Sequence, residues 1–531
     1  MLLMTATATG EPLHSSGSAE PSADRMMEVV ARLAADDFAG RQAGTSGGHA
    51  AAQWLATHLE SLGAAVTVDE FAVTGAVRTL DVTPVLSWTD GASRWGLVHR
   101  REFAEHLAST YLPQLATGLL RLMGSGDPAG VWLLDSEYAA ERAAQAAAQG
   151  ALGVVVPRGV DDGGWMPKMV GGPPTAALPV VSVRTDIQQQ MTTAAMQGGA
   201  ELGASVPLRP RDITAVNVHG VFGVAQPGQV SVLLTAHFDG VGDDPNGLRH
   251  PAACDNASGV AAVAVAARIL AATHPHVGVA VALLDGEESG LHGSARHAPH
   301  VPAGTFVINL DGAAALDKPA VVEAGGPAHR LLVALDQAAR QTGMPLRAQA
   351  MRSDNRRYTA AGLPTVGIGM GMPGYQTPAE TPDRVQPEVL VAAVRLLLST
   401  VDKLAASPPE TAIHEIGRDE LAQLLRDGEI VAVEALPEDV YARGHLPGAL
   451  NIRPRRVAEL APQLLPDKGA PIAAYCGDAG CDASLRVARH LSLLGYTNVR
   501  RYTGGKRDWT QAGLALETVS RCSETAGVPQ G

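Results

Sequence analysis

Four short segments of the chain end in side chains that could hold a metal. His237 and Asp239 close the apolar run SVLLTAHFD, and Asp255 opens DNASGVAAVAVAARIL behind a loop rich in Gly and Pro. Glu287 and Glu288 close VGVAVALLDGEE, and Asp311 closes TFVINLD. His, Asp and Glu are zinc ligands, and one carboxylate can bridge two ions. A metal pair lowers the pKa of a shared water and polarises a carbonyl. A neighbouring carboxylate that does not ligate can take the water's proton and pass it on. Asp239, two residues beyond His237, is spaced to orient that imidazole. Each residue taken singly has a plainer reading: a strand-end Asp is usually a turn or cap residue, Asp255 could be a helix N-cap, and Glu287 a solvated loop residue. Four such clusters in equivalent positions argue instead for one convergent site.

Convergence requires a particular set of elements. From Thr214 to Ala406, continuous apolar strands alternate with helices predicted over Ser258 to Ala272, Ala328 to Thr342 and Pro387 to Leu404. That rhythm predicts a doubly wound, mixed, mostly parallel α/β sheet covered on both faces. In such sheets the strands' carboxyl ends form the ligand crevice. Upstream, Arg25 to Leu62 carries two amphipathic stretches around a Gly-rich turn, followed by a short strand, AAVTVDEFAV. Residues 77–206 change texture: GVWLLD, GVVVP and PVVSV alternate with an Ala-rich helix, without clustered ligands or nucleophiles, which reads as an inserted α/β module. The expected organisation is a flexible leader over 1–24, a discontinuous catalytic domain over 25–76 and 207–406, the insert over 77–206, a linker over 407–412, a small α/β domain over 413–518, and a tail over 519–531.

AHFDG, DNASGVAAV, LLDGEESGLHGS and INLDG, in that order, resemble the co-catalytic zinc aminopeptidases, relatives of the plasma glutamate carboxypeptidases, over Met26 to about Leu404. The resemblance implies that His237 and Asp311 hold one zinc, Glu288 belongs to the other, Asp255 bridges them, Glu287 is the general base and Asp239 stands behind His237. It implies zinc, one or two ions per chain, a peptide substrate and exopeptidase action, most often on a free N-terminus. The insert resembles a protease-associated domain, which shapes access to the site. One position departs from the family pattern: in GYQTPAETPDRV, Gln376 stands where the last ligand is a His. An amide oxygen is a weaker zinc ligand than an imidazole nitrogen. A pair with a weak second ion, a single-metal hydrolase and a degenerate binding domain are the three outcomes. Asn355, often His in the family, is expected in the pocket wall. Cys254, beside Asp255, reads as a packed small residue, with a thiolate at the metals as the alternative.

A second centre lies near the C-terminus. In PIAAYCGDAGCDASLRVARHL, Cys476 falls between an apolar strand and an amphipathic helix, where backbone N–H groups and the helix N-terminus can favour a thiolate. With VYARGHLPGALNI upstream and LLGYTNVRRYTGGKRDW downstream, residues 413–518 resemble rhodanese-like domains, in which Cys476 would accept a sulfane sulfur. Asp478 and Asp482 replace the basic residues common in such loops and are expected to raise the thiol pKa. Glu434 stands for the usual Asp and Leu436 for a common Arg. Cys481, five residues on, allows an internal disulfide or persulfide resolution. Cys522 reads as incidental. The alternative to a peptidase is an inert, metal-poor domain acting as a binding module, with the main activity at Cys476.

Composition narrows the classes. A net charge of −13 without clustered Arg or Lys argues against nucleic-acid partners. Four cysteines in 531 residues are too few for a disulfide framework. No unbroken apolar run reaches the ~18 residues of a bilayer span, the longest being Gly259 to Ala272 with Arg268 inside it. The N-terminus lacks a basic segment and apolar core, so a cytoplasmic protein is expected, an exported one being the alternative.

Overall fold

The computed structural model describes residues 20–172, 174–407 and 413–518. Most of the expected leader, the linker beyond Ser407, the tail and Cys522 lie outside the described residues.

The largest sheet has eight strands in the order Ala65–Leu80, Leu208–Gly223, Gly278–Leu284, Ser231–His237, Phe306–Asp311, Thr365–Gly369, Ala320–Gly325 and Leu346–Ala348. The central four are mutually parallel, and antiparallel pairings flank them. Side chains alternate between two cores. Val232, Leu234 and Ala236 face the main core under helices Ala23–Leu33, Ser258–Thr273 and Pro387–Ala406, while Leu233 joins a smaller cluster with Leu284, Val307 and Tyr358. Burial on both faces explains why these strands read as unbroken apolar runs. Helix Ser258–Thr273 is almost entirely Ala and Val up to Ile269, and its small side chains let it lie between the sheet and two neighbouring helices. With the turn before it, Ala253–Thr273 is long and apolar enough to cross a bilayer, yet 78% of its apolar window is buried in this core.

The strand expected to be short is 16 residues long. Ala65–Leu80 pairs antiparallel with Leu208–Gly223 from Ala65 opposite Val221 to Leu80 opposite Leu208, with a register shift between Val73 and Val77. Its first half has no buried residue, so its extended form depends on a partner more than 120 residues away. These two strands leave and re-enter the main sheet on either side of a second eight-stranded sheet built from residues 86–206. The C-terminal unit is a five-stranded parallel sheet in which Ile472–Tyr475 lies between Val499–Tyr502 and Val431–Glu434. Its helix Ala483–Leu493 packs on helix His329–Thr342 of the main domain, where the His329 and His490 rings meet edge-on, 5.9 Å between centroids.

Candidate active site

His237 and Asp311 end adjacent parallel strands, and Asp255 sits in the turn that enters helix Ser258–Thr273. This turn is fixed by Asn256, which donates to the Leu310 carbonyl (2.9 Å) and accepts from the backbone N–H groups of Gly259 (3.1 Å) and Gly312 (2.9 Å). The amide therefore ties the Asp255 turn to the end of the Asp311 strand. Nε2 of His237 lies 3.0 Å from Asp255 Oδ1 and 3.3 Å from Asp311 Oδ1. One ligand atom from each of the three residues falls within 4.8 Å of the others, and all three are buried.

Nδ1 of the same imidazole turns toward Asp239, 3.2 Å from its carbonyl oxygen and 3.4 Å from Oδ1. The Asp239 carboxylate also accepts from the backbone N–H groups of Glu287 (3.1 Å) and Glu288 (3.2 Å). It thus orients the imidazole and the Glu287–Glu288 loop together. Asp285 supports that loop from below, accepting from Val216 N while its own N–H donates to Asn217.

The electrostatics favour a cation. Burial alone would lower the His237 pKa, but Glu287, Asp239, Asp255 and Asp311 around it hold it well above the ordinary value. Burial raises Asp255, assisted by Asp311 and Asp239. Burial, then Asp311, Asp354 and Glu288, pushes Glu287 well up, and burial, then Asp255, does the same to Glu288. Asp255 Oδ1 is buried against His237 Nε2. Two buried carboxylates converging on one imidazole nitrogen fit a divalent cation.

The Glu288 side is arranged differently. The Gln376 amide nitrogen donates a short hydrogen bond to Glu288 Oε2, and Gln376 Oε1 is buried without a partner. Gln376 lies in a left-handed conformation (φ 55°), with its own N–H held by Glu380 Oε2 at 2.7 Å. The other Glu380 oxygen accepts from the Asp255 N–H. Among the described residues, the group of three converging ligands is His237, Asp255 and Asp311, while Glu288 is engaged by the Gln376 amide.

Several contributors were not singled out in the sequence. Arg41, in the Gly-rich turn, is fully buried and donates to the Phe238, Pro251 and Ala252 carbonyls at 2.7, 2.9 and 2.7 Å. Its charge acts on Glu380, Asp239 and Asp255, while burial holds its own pKa near 10. A single Arg among glycines carries no sequence signal, whereas Glu380 lay in view four residues beyond Gln376. Burial raises Asp354 to about 7. Asn355 donates to Glu323 (2.9 Å), away from the ligand atoms. Cys254 is fully buried, and burial, with Glu380 and Asp255, pushes its thiol up.

The insert closes over this side. Lys168 donates through its backbone N–H to the Gln376 carbonyl (2.9 Å) and through Nζ to the Gly242 and Asp243 carbonyls (3.0 and 2.9 Å). That backbone bond joins the insert to the loop carrying Gln376. Arg100 forms a buried pair with Asp244 (Nε 2.8 Å) and with Glu105 (2.5 Å). Beside Asp311, a cavity of about 510 Å³ opens, lined by Tyr375, Met351, Met370, Lys318, Arg347 and Arg352 among others.

Cys476 follows strand Ile472–Tyr475 and is buried. Its Sγ lies 3.2 Å from the Cys481 carbonyl, 3.7 Å from that of Asp478 and 3.4 Å from Ser484 Oγ. Burial and then the Cys481 side chain raise its pKa, so the shift has the expected direction with a different cause from the two loop carboxylates. Glu434 is buried, accepting from Tyr475 Oη (2.6 Å) and Lys506 Nζ (2.7 Å), which makes it a brace beneath the loop.

Fold and site define a zinc-exopeptidase-like α/β domain joined to a small parallel α/β domain with a cysteine loop. Residues 217–401 match the model of Peptidase family M28, and residues 417–512 that of the Rhodanese-like domain. The chain carries an M28 peptidase domain and a C-terminal rhodanese-like domain. Among solved structures, it is similar to an aminopeptidase from Aneurinibacillus sp. strain AM-1, with 22% identity, TM-score 0.57, and coverage of 74% of this chain and 96% of that one. It is also similar to BSAP, a zinc aminopeptidase from Bacillus subtilis, with 20% identity, TM-score 0.54, and coverage of 72% and 94%. At these identities the likeness is one of fold. Among curated proteins, 112 residues are 34% identical to the HTH-type transcriptional regulator Rv0324 of Mycobacterium tuberculosis, covering 20% of this chain and 46% of that protein. The chain therefore spans less than half the length of that relative.

Proposed function

We propose that this protein is a zinc-dependent exopeptidase, acting as an aminopeptidase with one tightly held ion. The observation that carries the reading is the buried group His237, Asp255 and Asp311, set at the carboxyl ends of parallel strands within an M28 domain. Zinc held there would supply Lewis-acid polarisation of the scissile carbonyl and a more acidic water. The chain's own residues supply the rest. Asp239 fixes the imidazole so that Nε2 faces the two carboxylates. Glu287, with its carboxyl raised by burial, is suited to take a proton from the attacking water and return it to the departing amine. Its backbone N–H is pinned by Asp239, which sets its position relative to His237. The insert's backbone bond to the Gln376 loop supports a role in shaping access, and the cavity beside Asp311 offers room for the substrate. Aminopeptidase action rests on the family and on the named activity of proteins of similar fold.

The test is zinc per chain after chelator-free purification, together with hydrolysis of unblocked dipeptides and of their N-acetylated forms. About one ion is expected, lost on Asp255→Ala together with hydrolysis of the unblocked peptides. Protein that takes up no zinc from excess metal would sink the proposal.

A further inference from the structure

We propose that the rhodanese-like domain carries a two-cysteine centre, Cys476 and Cys481, that converts a bound sulfane sulfur into sulfide by closing a disulfide within one loop. Cys476 occupies the loop between strand Ile472–Tyr475 and helix Ala483–Leu493. Residue Cys481 bends back over it, its carbonyl 3.2 Å from the Cys476 sulfur and its side chain packed against the same apolar cluster. Arg501 holds this bend closed, with NH2 donating to the Cys481 carbonyl (3.0 Å) and Nε to Ser484 Oγ (3.1 Å). From the other side, Lys506 N and Arg507 N bond the Cys476 and Gly477 carbonyls at 3.0 and 2.9 Å. The loop is thus fixed at both ends with the two cysteines on its inner and outer layers. Cys476 is about 1% exposed while Cys481 is part-exposed.

That layering decides the chemistry. A sulfur delivered to Cys476 sits in a loop whose other thiol is Cys481, packed in the same apolar cluster. The surroundings also select the donor. Asp478 and Asp482 flank the loop, Lys506 Nζ is engaged by Glu434, and Arg501 is engaged by the loop itself. A doubly charged inorganic donor such as thiosulfate is opposed by the Asp478 and Asp482 carboxylates, whereas an organic persulfide of lower charge is opposed less.

In the first step the Cys476 thiolate attacks the outer sulfur of a persulfide R–S–SH. The donor S–S bond breaks, R–S⁻ leaves, and Cys476–S–SH remains. In the second, the Cys481 thiolate attacks Cys476 Sγ, the new S–S bond breaks, and HS⁻ departs with the electron pair. Two thiols are oxidised to a disulfide, and one sulfane sulfur is reduced to sulfide. Exchange through a mixed disulfide intermediate with an external dithiol would restore the pair.

The experiment uses the reduced full-length protein and glutathione persulfide under anaerobic conditions. Sulfide is quantified, and the tryptic peptide 469–486, which holds both cysteines, is examined by mass spectrometry. Wild type is expected to release about one sulfide per chain, leaving that peptide two hydrogens lighter. Cys481→Ser should keep the peptide one sulfur heavier and release sulfide at least about tenfold more slowly; Cys476→Ser should do neither. Comparable sulfide release from Cys481→Ser, a persulfide that persists on the wild-type peptide, or failure of the wild type to take up sulfur would each overturn the proposal. Circular dichroism and thermal unfolding of each variant serve as the folding control.

Discussion

At the residue scale, the candidate metal centre is governed by which atom each side chain leaves free. Asp239 occupies Nδ1 of His237 and so assigns Nε2 to Asp255 and Asp311. Glu287 is close enough to act on His237 and is absent from the three-residue ligand group, which is the arrangement a general base needs. Glu287→Gln should therefore retain zinc while lowering kcat by about 10²- to 10⁴-fold, measured as metal content and turnover on one preparation. Gln376 presents the converse case, a neutral donor bonded to a carboxylate where an imidazole would ligate. Gln376→His should raise zinc from about one to about two ions per chain, because imidazole nitrogen replaces an amide as ligand. An unchanged count in a folded variant would show that more than this one side chain excludes the second ion.

Elements convert these preferences into distances. Neighbouring parallel strands bring His237 and Asp311 together only because Val232 pairs with Phe306 and Thr235 with Asn309, so both strands end at one edge. Asn256 then pins the Asp255 turn to that edge. The insert is fastened by a buried ion network of Arg100, Glu105, Asp244 and Lys168, in which Arg100 holds Glu105 near 2 and Asp244 well below the usual carboxylate range despite burial. Removing one partner of a buried pair leaves charge uncompensated and costs about 3–5 kcal/mol. Arg100→Met should lower stability by about that amount in denaturant unfolding, and should speed proteolysis of residues 159–172 before global unfolding. Stability within about 0.5 kcal/mol of wild type would mean the network contributes little to fastening the insert.

At the scale of the whole molecule, the two domains meet through helices His329–Thr342 and Ala483–Leu493. Burial holds both His329 and His490 near 4, and the neighbouring His490, Arg489 and Arg486 add to the effect on His329. A histidine depressed in the folded state binds its proton more tightly in the unfolded chain. The associated stability is present above about pH 6.5 and fades as pH falls toward 4. The melting temperature should drop over that window, and the drop should be shallower in a His329→Phe/His490→Phe double variant. Identical pH slopes would show that these rings are not linked to stability. The arrangement also sets the cysteine loop in a different domain from the candidate metal group.

The motifs and the strand–helix rhythm sufficed for the α/β class and for the two domain families, because local apolar periodicity and strand-end polarity are written in consecutive residues. Antiparallel pairing of Ala65–Leu80 with a strand more than 120 residues away was not legible, since pairing over such separations leaves no local trace. Nor was Arg41, whose importance comes from the carbonyls that folding places around it. The sequence determined which side chains are present for metal and sulfur chemistry. Tertiary structure alone decided how they are paired, placing Gln376 against Glu288 and Cys481 over Cys476. Hydrogen-bond direction and burial are properties of the assembled site, and spacing along the chain does not encode them.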